Sequence, residues 1–160
     1  MDLKFALDNI VKPASMLLTE HLANSPEARV MLLATGYQET KFLTRVQYGD
    51  GPAHGFWQFE QGGGVKGVCQ HHLTTTQAQL ICRARDCSFD PRAVWAQLAH
   101  DDILAAAFAR LLLFTDSAPL PALGDAEGAW ACYLRCWRPG KPRPGDWAEG
   151  YQKALALVAP

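Results

Sequence analysis

The stretch SPEARVMLLATGYQET, residues 25–40, decides the fold class. Ser25 offers a hydroxyl to the unpaired N–H groups that open a helix. Pro26 stands where a missing N–H costs nothing, and Glu27 sets a negative charge at the positive end of the helix dipole. Val30, Leu33, Ala34 and Tyr37 then recur on one face at offsets of three, four and seven. This spacing predicts a helix from Pro26 to about Thr40.

Outward from this helix, most of the chain reads the same way. Residues 3–22 are periodic, with Pro13 expected to split or kink them. Thr74-x-x-Gln77 fits a capping box. Asp90-Pro91 starts another helix, and Asp101 or Asp102 caps one that runs through Ile103, Ala106, Ala107, Arg110 and Phe114. Residues 115–124, with Pro119, Pro121 and Gly124, read as a connector. Asp125 caps a helix carrying Trp130, Tyr133, Leu134 and Trp137, which Pro139-Gly140 stops. Trp147, Tyr151, Leu155 and Val158 make a final apolar stripe. Residues 45–68 break the pattern. Gly49, Gly51, Pro52, Gly55, Gly62, Gly63, Gly64 and Gly67 crowd there, which is loop chemistry with room for a short hairpin around Gly55 to Phe59. The expected fold is mainly α: one domain over residues 1–160 with a glycine-rich loop or short β-hairpin after the second main helix.

Composition narrows the classes of function. A chain of 160 residues suits one domain, and 49% hydrophobic residues are enough to bury a core, which excludes global disorder. Lys and Arg number 15 against 16 Asp and Glu, for a net charge of -1. That balance argues against general nucleic-acid binding, which favours a basic excess. No apolar run approaches the ~20 residues of a membrane span, so membrane insertion is not expected. The opening MDLKFALDNIVK mixes Asp and Lys into its apolar positions and does not read as a signal peptide. The chain is expected to be cytoplasmic when made. Its five cysteines, an odd number, are expected as reduced thiols.

Two features carry candidate chemistry. Glu39 sits at the C-terminal end of an apolar helix, where the dipole disfavours negative charge. A carboxyl group there, beside apolar surface, is expected to have a raised pKa, as a general acid requires. A solvated Glu in a last helical turn is the alternative reading. Just 16 residues further on begins Gly55-Phe56-Trp57-Gln58-Phe59-Glu60. Aromatic faces bind the apolar faces of sugar rings, and a Gln amide both donates to and accepts from hydroxyl and acetamido groups. Here the alternative is a hairpin with its aromatics turned to the core.

Together these residues resemble the lysozyme-like superfamily, and within it the soluble lytic transglycosylases and goose-type lysozymes, including phage-encoded members. In that family a helix ends in Glu-Ser, a glycine-rich loop follows, and Gly-Leu-Met-Gln precedes an apolar residue. This chain has Glu39-Thr40, then Gly55-Phe56-Trp57-Gln58-Phe59, with Glu60 where goose-type enzymes often carry an acid. The family's Ala-Tyr-Asn-Ala-Gly stretch, whose Tyr helps hold the catalytic Glu, is Ala131-Cys132-Tyr133-Leu134-Arg135 here; only the Tyr is kept. The resemblance covers residues 30–60, with further support at 129–137.

The resemblance implies a peptidoglycan-cleaving enzyme acting on the β-1,4 bond between N-acetylmuramic acid and N-acetylglucosamine, without a cofactor. Glu39 would be the general acid and base. Asp50 and Glu60 are candidates for the second carboxylate that a hydrolase uses; Asp50 in Tyr48-Gly49-Asp50-Gly51 also reads as a turn former. Thr40, Gly55, Trp57, Gln58, Phe59 and Tyr133 would line the substrate. Hydrolase and transglycosylase both remain open. The context implied is a phage or prophage product of endolysin type. It would act at the cell wall or periplasm after release, or within a virion beside other virion proteins. A non-catalytic virion or glycan-binding module of the same fold is the alternative.

Three other groups compete for attention. Cys69, His71, His72, Cys82 and Cys87 are zinc-type ligands at irregular gaps, more simply read as ordinary buried or surface residues. No metal is assigned to them. Cys132 and Cys136 share a helix face and read as small buried hydrophobes, since a continuous helix does not offer disulfide geometry. Arg135, Arg138, Lys141 and Arg143 form a basic run around Trp137, read as a solvated face or, as a third option, a nucleic-acid contact.

Overall fold

The computed structural model describes residues 1–23 and 25–159. Helix α4, Pro26–Thr40, forms where its caps and spacing place it. Ser25 accepts a 3.1 Å hydrogen bond from the Ala28 N–H. Ala28, Val30–Gly36, Gln38 and Thr40 are all buried, so one apolar face is too narrow a description. A helix apolar nearly all round belongs inside, and elements from both halves of the chain pack on it. Its most extensive partner is α10, Pro144–Val158, with further contacts from α8, Asp102–Phe114, and α9, Ala126–Trp137. The close approach to α10 needs Gly150, whose position leaves no room for a Cβ beside the Tyr37 ring.

The N-terminal stretch is α1 (Leu3–Ala6), a widened π turn (Leu7–Val11), α2 (Lys12–Ser15) and α3 (Glu20–Ala23). Pro13 does not split it. A proline crowds the carbonyl four residues back; the π turn widens the ladder there, and Pro13 falls in the first turn of α2. The break comes after Ser15, where the bonds tighten to Met16–Pro13, Leu17–Ala14 and Leu18–Ser15. After the glycine-rich segment come α5 (Lys66–Gln70), α6 (Thr75–Ala84) and α7 (Pro91–Leu98). Helix α8 gathers many of these elements, with α2, α5, α6 and α7 all packing on it.

The aspartate caps form as the sequence predicts. Asp90 accepts from Arg92 and Ala93, Asp125 from Gly128, and Asp101 from Leu104. Asp102, the other candidate for α8, instead pairs with Arg45 at 2.7 Å. The capping box at Thr74 does not form. The Thr74 hydroxyl donates to the Val68 carbonyl at 2.7 Å, and Gln77 accepts from the distant Thr19 N–H at 3.2 Å. A tertiary partner outcompetes the local one in each case.

The glycine-rich segment holds a minimal antiparallel hairpin. Strand β1, Ala53–His54, pairs with β2, Phe59–Glu60, in the register Ala53 opposite Glu60 and His54 opposite Phe59. Residues 55–58 form the turn rather than an extended piece, so Phe56 and Trp57 do not alternate between faces; both are buried. Gly55 makes this possible at φ +75°, and a Cβ there would lie 3.0 Å from the Leu98 carbonyl oxygen. Among the described residues no helix is long and apolar enough to cross a membrane.

Candidate functional site around Glu39

Glu39 is the penultimate residue of α4 and is half-buried. Tyr133, from α9, donates a 2.7 Å hydrogen bond to its Oε1. Tyr133 is itself held in a slab of rings. Its centroid lies 4.9 Å from Trp147, 5.3 Å from Trp130 and 6.2 Å from Trp137, all near-parallel or stacked. Burial pushes the Glu39 carboxyl above its ordinary value; the Tyr133 bond and the Arg143 charge pull it back only in part. Burial and the Glu39 carboxylate together raise the Tyr133 phenol, so Tyr133 stays a donor. Arg143 also ties the end of α4 to the start of α10. Its guanidinium bonds the Gln38 carbonyl, and the Gln38 amide donates to the Arg143 carbonyl at 3.2 Å.

Thr40 joins the same helix end to the hairpin. Its hydroxyl lies 3.0 Å from the Phe56 carbonyl oxygen and 3.2 Å from that of Gly36, and it accepts from the Phe42 N–H. Lys41 and Phe42 then turn through left-handed backbone, which lays the Phe42 ring over Gly36. Trp57 donates its indole N–H to the Leu32 carbonyl at 2.9 Å, and Trp137 donates its own to the Trp57 carbonyl at 2.9 Å. The hairpin is thus stitched to α4 on one side and to α9 on the other.

A groove of about 920 Å³ opens beside the hairpin. Gln58, Phe59, Glu60, Gly62–Gly64, Trp137 and Arg138 contribute to its walls. Gln58 stands at φ 51°, with its amide donating to the Gly55 carbonyl at 3.0 Å, and Glu60 is exposed on the rim. Phe59 lines the wall while remaining buried. Glu39 is not among the lining residues.

Several substrate-contact assignments from the sequence are corrected. Trp57 is fully buried, at 0% exposure, because its indole N–H finds a partner in the core rather than at the surface. Gly55 is buried and serves the turn. Thr40 spends its hydroxyl on the hairpin, and Tyr133, 2% exposed, spends its own on Glu39. Asp50 sits at φ 56° in an exposed turn outside the groove, which is the turn-former reading. Gln58, Phe59 and Glu60 stay as groove residues; Glu39 is bonded by Tyr133, and its neighbour Thr40 by Phe56 of the hairpin turn.

Sequence reasoning missed Arg143 at the site, and it placed Trp137 on its helix and in a basic run without joining it to the hairpin. Two members of that run are paired with acids. Arg135 pairs with Asp116 at 2.8 Å, and Arg143 with Asp146 at 3.0 Å. All five cysteines are free thiols. Burial pushes the Cys69 thiol up to about 11 and the Cys82 thiol up to about 12, so neither is a reactive thiolate. His71 and His72 stack on each other at 4.6 Å, while His54 stacks on Trp95 at 3.8 Å and bonds its carbonyl. Cys69, His71, His72, Cys82 and Cys87 do not assemble as a ligand set. Among the described residues, the set that brings three ligand atoms within 4.8 Å of one another is Asp116, Cys132 and Cys136.

Compared with protein-family models, curated proteins and solved structures, the chain has no match.

Proposed function

We propose that this protein cleaves the glycan strand of peptidoglycan, at the β-1,4 bond between N-acetylmuramic acid and N-acetylglucosamine, with Glu39 as general acid and then base. The observation that carries this reading is the half-buried Glu39 carboxyl, shifted upward by burial and held through Oε1 by the Tyr133 hydroxyl. Tyr133 occupies Oε1, which leaves Oε2 to carry the proton. In the first step Oε2 gives its proton to the glycosidic oxygen as the bond from C1 breaks. In the second, the Glu39 carboxylate takes a proton from the oxygen that captures C1. That oxygen is the muramoyl 6-hydroxyl in a transglycosylase, or water in a muramidase. For the second case our reading takes Glu60, exposed on the groove rim, as the second carboxylate. Gln58, on the groove wall, suits the acetamido and hydroxyl groups of the strand. No cofactor enters either step.

One observation favours a second reading. The groove walls do not include Glu39, as a non-catalytic glycan-binding or virion module would allow. The deciding experiment incubates the protein and its Glu39→Gln variant with purified peptidoglycan and identifies soluble products by mass spectrometry. Anhydromuramoyl ends are expected for a transglycosylase and reducing ends for a muramidase, with neither from the variant. A wild type that yields no product on several wall chemotypes, or a variant that lyses as well as the wild type, overturns the proposal.

A further inference from the structure

Beside the groove, two thiols and a carboxylate converge. Cys132 and Cys136 lie one helical turn apart on α9, so they share a face. Asp116 comes from the segment just after α8. Their ligand atoms all lie within 4.8 Å of one another. Tetrahedral ligands around zinc stand about 3.8 Å apart when both are sulfur, given bond lengths near 2.3 Å.

We propose that Asp116, Cys132 and Cys136 bind one thiophilic divalent metal ion of the zinc class, with the fourth position open to the groove. Four features support this. The donors are the soft thiolates and the carboxylate that such ions take. The helix keeps the two cysteines from disulfide geometry, so both sulfurs remain available as ligands. Arg135 orients the carboxylate: it donates to Asp116 Oδ2 at 2.8 and 3.0 Å, while Oδ1 stands 3.3 Å from Arg135 and 3.4 Å from the Ala118 N–H. Finally, Asp116 and Cys136 line the groove while Cys132 is buried, so an ion has both an entry path and a dry inner side.

The charges balance as well. Metal-bound thiols are deprotonated. Two thiolates and one carboxylate facing one guanidinium leave two negative charges, which a divalent ion cancels. Loading releases the two thiol protons to solvent. The ion would clip α9 to the segment following α8, next to Tyr133. The site does not depend on the proposed glycan chemistry.

The test uses the full, reduced protein. After exposure to zinc and dialysis it should retain one ion per chain. X-ray absorption of the zinc-loaded protein should show two sulfurs at about 2.3 Å and two lighter atoms at about 2.0–2.1 Å. Cadmium loading should give a thiolate charge-transfer band. Cys136→Ser should weaken binding by about 100-fold or more, and Arg135→Gln by about 10-fold to 100-fold. Cys87→Ser should leave binding unchanged. Zinc lost on dialysis, three or four sulfurs around the metal, or binding abolished by Cys87→Ser would overturn the proposal. The sulfur count is taken on the wild type, so it decides the matter even if Cys136→Ser fails to fold.

Discussion

Replacing Glu39 by Gln should stabilise the protein at neutral and alkaline pH, and the reason is visible in the structure. The carboxyl is half-buried, and burial outweighs both the Tyr133 hydrogen bond and the Arg143 charge in setting its pKa, which is raised. The charged form is therefore less favourable in the folded protein than in water. A group whose folded pKa is raised binds more protons folded than unfolded. For an acid, stability then falls as pH rises from the unfolded pKa through the folded one. Gln keeps the shape and offers an amide oxygen to the Tyr133 hydroxyl, now 2.7 Å from Oε1, without the charge. Removing a strained functional group commonly returns about 0.5–2 kcal/mol. For a chain of this size each kcal/mol moves Tm by about 2–4 °C. Melting both proteins by circular dichroism from acid to alkaline pH tests this. The Gln variant should melt level with the wild type in acid and higher above neutrality. A variant that melts lower at every pH, or by the same margin throughout, would refute the argument that Glu39 is held against its solvation.

Three further substitutions probe the surroundings. Tyr133→Phe removes a contribution that lowers the Glu39 pKa, so the alkaline limb of a pH–activity profile should move to higher pH; an unmoved limb would separate Tyr133 from the acid. Trp57→Ala should cost about 3–5 kcal/mol of stability in a denaturant titration, because Trp57 is core; an unchanged midpoint would return it to the surface. Gly36→Ala improves helix propensity, yet its Cβ would strike the Phe42 ring, so a net loss of about 1–3 kcal/mol is expected, and a gain would show that Phe42 can move aside.

The helical frame was legible because its signals are local. Ser25, Asp90 and Asp125 cap helices with their own neighbours, and the α4 boundary at Thr40 follows from spacing and the glycine-rich run beyond it. The capping box failed because distant groups compete for its two residues. Thr74 gives its hydroxyl to Val68 rather than to its own helix, and Gln77 serves Thr19. Aromatic residues were the hardest to place. Phe56-Trp57 in a glycine-rich segment is as consistent with a sugar platform as with a core plug. Only the Leu32 carbonyl, 25 residues back, settles Trp57 as the plug.

The same distinction explains what was visible of the site. Glu39 could be singled out because a carboxyl at the C-terminal end of an apolar helix is a local anomaly. What fixes it could not be seen, since Tyr133 is 94 residues away and Arg143 reaches Gln38 across 105. Three connections meet in the last turn of α4: Thr40 to the hairpin, Glu39 to α9 and Gln38 to the start of α10. Each binds a different residue of that turn to a different element. A shift of the carboxyl toward water would break at least one of them. The burial that raises the Glu39 pKa is therefore a property of the packing of three elements, not of one loosely placed side chain. A carboxyl destabilised in this way persists only where its surroundings over-determine its position, and the last turn of α4 is such a place.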